Sequence, residues 1–131
     1  MSQPAKACPF CRPSPQRIVV EGVAAMALWD SYPLNPGHVL IVPRRHVASW
    51  FEATAAEREE MLRLADEARR IVIERHAPDA FNLGLNDGSA AGQTVPHVHL
   101  HLIPRYAGDV GDPRGGVRWI IPERAAYWNR R

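Results

Sequence analysis

The stretch His97-Val98-His99-Leu100-His101-Leu102-Ile103 decides how this chain is read. Three of the six histidines stand here, alternating strictly with aliphatic residues. On a β-strand side chains repeat every two residues, so the three imidazoles line one face and the aliphatics the other. A helix would bring His97 and His101 together and turn His99 away. Pro96 and Pro104 bracket the run as punctuation of a short element, and the strand reading is preferred. One metal ion held by all three rings is awkward. Positions 97 and 101 lie about 13 Å apart at ~3.3 Å per residue, whereas ligand nitrogens must come within ~2 Å of an ion. A merely polar face would carry Thr, Lys and Glu, not three copies of the side chain that titrates near neutrality. The pattern points to a catalytic row with a nucleophilic imidazole in the middle.

Working outward, 80–85 alternates as a strand and runs into a loop, 86–94, holding Gly88 and Gly92. Glycines let backbone N–H groups approach an anion closely. Upstream, 38–43 reads as a buried strand, and 17–21 with 23–29 as a hairpin through Gly22. Residues 47–76 read as helical: Ser49 with Glu52 and Thr54 with Glu57 each fit a capping box, predicting a short turn and then a long helix. Met61, Leu64, Ala65, Ala68, Ile71 and Val72 recur at helical spacing as its core-facing stripe. Arg44 and Arg45 are expected to be solvated, and 117–121 to form a short strand. Strands at 17–21, 23–29, 38–43, 80–85 and 97–103 predict an α+β domain: an antiparallel sheet of about five strands, one long helix and a short helix packed on one face, and the histidine face open.

At 131 residues the chain is read as one domain, 1–131, with an N-terminal segment 1–16 and a C-terminal tail 107–131. A net charge of +2 without a long basic run argues against a nucleic-acid partner. No apolar leader or membrane-length run is present, so the cytoplasm is expected. Cys8-Pro-Phe-Cys11 is open to three readings: half a zinc site, a redox pair, or two plain thiols. The redox reading is poor because no strand precedes the motif.

His97-Val-His-Leu-His-Leu-Ile103, with Asn86-Asp-Gly-Ser-Ala-Ala-Gly-Gln-Thr-Val95 and Pro36-Gly-His-Val-Leu-Ile-Val-Pro-Arg-Arg-His46, resembles the histidine triad (HIT) family of nucleotide hydrolases and transferases. The resemblance spans residues 18 to 106. It implies that His99 attacks the α-phosphorus of a nucleotide derivative, that His101 touches the phosphoryl oxygens or the leaving group, and that His97 supports them. It further implies that Asn86, Gly92 and Thr94 hold phosphate, with Gln93 near the leaving group. Asp30 would meet the ribose, and His38 would stand at the substrate end of the triad. Leu28 and Trp29 are candidates for the base pocket or for the core. A subset of the family, and the related galactose-1-phosphate uridylyltransferases, join a Cys pair to such histidines around structural zinc, which here implies Cys8, Cys11, His46 and His97. The chemistry itself needs no divalent ion. A twofold homodimer and a purine nucleotide, with adenine favoured, are also implied. The tail is where such proteins vary; Arg114 and Arg118 are candidates for a polyphosphate, with an exposed basic loop or a dimer contact through Trp119 and Trp128 as equal alternatives. Its ending departs from the phosphoramidase branch, which favours dinucleoside polyphosphate hydrolysis over phosphoramidate hydrolysis or a nucleotide-binding module with little turnover.

Overall fold

A computed structural model of the chain describes residues 8–129. Five strands, β1 (Ile18–Glu21), β2 (Ala25–Trp29), β3 (Val39–Pro43), β4 (Ala80–Gly84) and β5 (Leu100–Arg105), form one sheet in the order β1-β2-β3-β5-β4, with every pairing antiparallel. A long helix, α1 (Ala55–His76), and a short one, α2 (Pro122–Ala125), complete the α+β architecture that the sequence predicts. The expected short turn before α1 is a 3₁₀ turn, Trp50–Glu52, whose start is capped by the Ser49 hydroxyl.

Helix α1 begins where the capping box predicts. The Thr54 side chain accepts from the Glu57 N–H, and the Glu57 carboxylate accepts from the Thr54 N–H. The helix ends at Ala77, in the left-handed region at φ 49°, with its N–H donated to the Ile73 carbonyl. Its buried side chains, Met61, Leu64, Ala65, Ala68 and Val72, lie on Ala25, Ala27, Val39, Ile41, Leu100 and Leu102. Alanines at 25 and 27 let the helix come close to the sheet. Glu57 is buried, and Arg45 holds its carboxylate through two hydrogen bonds of 2.9 and 3.2 Å. Arg44 bonds Glu21 and the Gly22 carbonyl. Both arginines are exposed, as expected of them, and each also has a protein partner.

The histidine face departs from expectation in two ways. First, it is not wholly open: Phe10, from the N-terminal segment, packs on Met26, Leu28, Leu40 and Val42. Second, β5 starts at Leu100, so His97 and His99 precede the ladder. The reason is visible in the register. Ile41 pairs with Leu100, so the next partner for Val98 would be Pro43, which has no N–H to give. Val98 donates instead to the Val47 carbonyl at 2.8 Å. The tail differs too: residues expected as a strand at 117–121 wind into a 3₁₀ helix, Gly116–Ile120.

Candidate functional site

Bending the chain at Pro96–His97 divides the three histidines between two clusters. His97 is fully buried and its Nε2 lies 2.8 Å from the Pro43 carbonyl. A carbonyl only accepts, so Nε2 carries the proton and Nδ1 keeps a lone pair. That lone pair faces Cys8 Sγ and Cys11 Sγ, each at 3.6 Å, and His46 Nδ1 at 3.2 Å. Cys11 Sγ is 3.1 Å from His46 Nδ1. One donor atom from each of the four residues lies within 4.8 Å of all the others. A tetrahedron with bonds of ~2.0–2.3 Å has edges of about 3.3–3.8 Å, so the donor set is near the size a closed thiolate–imidazole site requires. Burial holds the His97 pKa below the ordinary 6.5, which keeps the ring in the neutral form a metal needs.

His99 is 8% exposed. Its Nδ1 lies 2.9 Å from the His97 carbonyl, so by the same reasoning Nδ1 bears the proton and Nε2 the lone pair. The carbonyl that orients His99 thus belongs to its own triad neighbour. Phe10 stands against this ring at 5.0 Å between centroids, and His101 at 5.2 Å.

His101 begins the second cluster. It pairs across the sheet with Leu40 on one side and Gly84 on the other. A side chain built at Gly84 would meet nothing within 4 Å, so the surface beside His101 is open there. The Leu34 N–H donates to His38 Nδ1 at 3.0 Å, which puts the His38 proton on Nε2. That N–H lies 2.9 Å from His101 Nδ1 and 3.4 Å from the Asp30 carboxylate. With Nδ1 of His101 accepting, its Nε2 is the protonated nitrogen. Burial and the neighbouring His99 and His38 rings lower the His101 pKa to about 4, against a smaller opposing pull from Asp30. Burial likewise lowers His38, with Asp30 opposing. Both rings are neutral near pH 7.

The turn that presents Asp30 and His38 depends on Gly37, at φ 90°, where an added Cβ would come within 2.9 Å of His76 and 3.0 Å of Val72 on α1. Asp30 also accepts from the Tyr32 N–H at 2.8 Å.

The loop 86–94 is a short 3₁₀ turn, Ser89–Ala91, flanked by Gly88 and Gly92 at φ 94° and 93°. Gly92 and Thr94 are exposed and Asn86 is half-buried. Gln93, expected beside the leaving group, braces the loop: its Oε1 accepts from Gly88 N–H at 2.8 Å, and its Nε2 donates to the Ala48 and Val95 carbonyls. Asp87 is a residue the sequence reading missed. Its carboxylate accepts from Ser49 Oγ at 3.0 Å and Trp50 N–H at 2.9 Å, docking the loop onto the start of the helical region. No local pattern links position 87 to 49, so the partner is visible only in three dimensions. Leu28 and Trp29, candidates for the base pocket or the core, differ in burial. Leu28 is fully buried, whereas Trp29 is half-buried, packing against the core cluster and beside His76 and Arg75 of α1.

Comparison with known proteins agrees with this fold. A family model described as "HIT domain" matches residues 12–108. The AP-4-A phosphorylase of Mycobacterium tuberculosis is 38% identical over 93 residues, 70% of this chain and 48% of that protein. The bis(5'-adenosyl)-triphosphatase of Saccharomyces cerevisiae is 40% identical over 105 residues, 79% of this chain and 48% of that protein. This chain therefore spans about half the length of these curated relatives. Among solved structures, a Zn-bound histidine triad family protein from Mycobacterium smegmatis superposes with a TM-score of 0.69 at 30% identity, covering 79% of this chain and 78% of that one.

Proposed function

The chain belongs to the HIT domain family, and from that premise we propose that it hydrolyses dinucleoside polyphosphates at an α-phosphorus through a nucleotidyl-histidine on His99. The observation that carries this reading is the His99 tautomer. Its Nδ1–H is committed to the His97 carbonyl, so the neutral ring holds its lone pair on Nε2, as a nucleophile requires. In the first step Nε2 attacks the α-phosphorus, a P–N bond forms, and the P–O bond to the remaining polyphosphate breaks. His101, with its proton on Nε2, stands beside His99 to meet the phosphoryl oxygens or donate to the departing oxygen. In the second step water attacks the same phosphorus and restores His99, releasing the nucleoside monophosphate. Backbone N–H groups of the 86–94 loop, with Asn86, Gly92 and Thr94, stabilise charge on the non-bridging oxygens. Asp30 meets the ribose, and His38 holds His101 in the required tautomer. An adenine dinucleotide is the favoured substrate, since the AP-4-A phosphorylase and the bis(5'-adenosyl)-triphosphatase are the kind of relatives matched.

Cys8, Cys11, His46 and His97 are proposed to hold zinc. With four protein donors the site is closed, and the ion when bound supplies structural stabilisation without an open position for chemistry.

The test is His99→Ala assayed on a dinucleoside tetraphosphate. Turnover is expected to fall by at least ~10³-fold, the scale of removing a covalent nucleophile. Acid quenching of the wild type in mid-reaction is expected to trap nucleotide on protein. Survival of near wild-type turnover in the variant sinks the assignment. Running the assay with inorganic phosphate separates acceptors: water gives the nucleoside monophosphate, phosphate the diphosphate.

A further inference from the structure

The loop 86–94, which meets the phosphoryl group in the reading above, is placed by very little packing. A Cβ added at Gly88 or Gly92 would meet nothing within 4 Å, and Ser89, Ala90 and Ala91 between them are exposed. Its internal hydrogen bonds run from the Ala91 and Gln93 N–H groups to the Gly88 carbonyl and from the Gly92 N–H to the Ser89 carbonyl. They give the loop a shape but no place. Two side chains, one near each end, tie it to the body of the protein. Asp87 Oδ2 accepts from both Ser49 Oγ at 3.0 Å and the Trp50 N–H at 2.9 Å. Gln93 Nε2 donates to the Ala48 carbonyl at 2.8 Å. Both ends therefore land on neighbouring residues of one segment, Ala48, Ser49 and Trp50.

That segment is itself held. Val47 is buried, and the Trp50 ring packs against the core cluster. The Val47 carbonyl accepts from the Val98 N–H at 2.8 Å, and Val98 stands between His97 and His99. A single run, 47–50, thus holds the backbone of the nucleophile on one side and the glycine-bearing loop on the other. Asp87 is the stronger of the loop's two ties, because hydrogen bonds to a carboxylate are charge-assisted and roughly twice as strong as neutral ones. The Ser49 hydroxyl accepts from the Phe51 N–H at 3.1 Å while it gives its proton to Asp87, so the two bonds polarise each other. Pointed at a polyphosphate, the same carboxylate would repel it; here its charge is turned to Ser49 and Trp50. Donors fixed in advance act where charge develops in the transition state, since they need no rearrangement at that moment. A loop free to drift would bind the ground state in many arrangements and the transition state in few. The hold on the loop then shows in rate, not in affinity.

We propose that Asp87 is a positioning residue for the reaction, holding the 86–94 loop against Ser49 and Trp50 so that its N–H groups stay in register with His99. This rests on the reading of His99 and of the loop given above, and the experiment keeps the two apart. A dinucleoside tetraphosphate at saturating concentration is mixed rapidly with the enzyme and quenched in acid. The rate constant and the amplitude of nucleotide trapped on protein are then read separately. Asp87→Ala is expected to lower the rate constant roughly 10²-fold, the scale of a ~1 Å misplacement, and to change KM by no more than about threefold. Loss of folded protein alone lowers the amplitude and leaves the rate constant as it was. Asp87→Asn is expected to retain most of the rate, since its amide oxygen accepts the same two hydrogen bonds without a charge. Ser49→Ala, which removes one of the two, is expected to fall between, and to cost little more when added to Asp87→Ala. A wild-type rate constant in Asp87→Ala overturns the proposal. So does an Asp87→Asn variant no faster than Asp87→Ala, which assigns the effect to the charge and not to the hold on the loop. Wild-type enzyme that traps no nucleotide overturns the His99 reading instead, and kcat of the same variants then decides the role of Asp87.

Discussion

Each triad histidine is defined by what its second nitrogen touches. His97 gives its Nε2 proton to Pro43 and offers Nδ1 to the Cys8–Cys11–His46 cluster, while His99 gives its Nδ1 proton to His97 and keeps Nε2. His101 is reached through the His38 relay. Burial makes the charged forms of His38, His97 and His101 unfavourable, and this has a consequence for stability. An unfolded chain binds protons at these positions near pH 6.5, whereas the folded chain resists until the lowered pKa values, about 4 for His101. Below pH 6.5 the unfolded state binds more protons, so stability is whole above that pH and falls as the pH drops towards 4. Urea midpoints measured across this window, with a chelator present throughout, are expected to decline. His101→Gln, which cannot take up a proton there, is expected to flatten the decline. A midpoint that is level from pH 7 to 4.5 contradicts the burial argument.

At the scale of elements, α1 and its cap organise the sheet. Thr54 and Glu57 satisfy each other's backbone N–H groups, and Glu57 also binds Arg45 from the end of β3. Thr54→Ala is expected to cost about 1 kcal/mol, read from the shift in urea midpoint at constant slope. Leu64 is fully buried between α1 and the sheet, so Leu64→Ala is expected to cost about 2–5 kcal/mol in the same measurement. The Arg45 hydrogen bond holds the Glu57 carboxyl below its ordinary pKa, so that this pairing is present above about pH 4.5 and lost as the pH falls further. The loop 86–94 has fewer anchors: Asp87 on Ser49 and Trp50, and Gln93 across its neck. These tie a glycine-bearing loop to the same helical region that covers the sheet.

Across the whole molecule, three stretches distant in the chain meet in the four-donor cluster: 8–11, His46 and His97. Binding zinc there would fasten the N-terminal segment, and with it Phe10, onto the histidine side of the sheet. A ligand held only by the folded state stabilises it by about 2.7 kcal/mol at a hundredfold excess over its dissociation constant. Protein purified without added metal is expected to carry about one zinc per chain by elemental analysis. Cys8→Ser is expected to lose that zinc and to lower the thermal midpoint, with the remainder of the chain folded. Equal zinc content in the variant rules the site out. Among the described residues no helix is long and apolar enough to cross a membrane.

Local pattern was enough for the presence of the five sheet strands and for the α1 cap and stripe, because each depends on residues a few positions apart. Period-two alternation, a Thr-x-x-Glu box and a short motif are all written within one element. The triad's real shape was not so written. Whether His97 continues a strand depends on what lies opposite, and that is Pro43, fifty-four residues away, which has no N–H to extend the ladder. The same holds for Asp87 on Ser49 and Arg45 on Glu57. Propensity and spacing determined which elements form; long-range packing decided which faces they show one another. A contact between distant residues leaves no periodic mark along the chain.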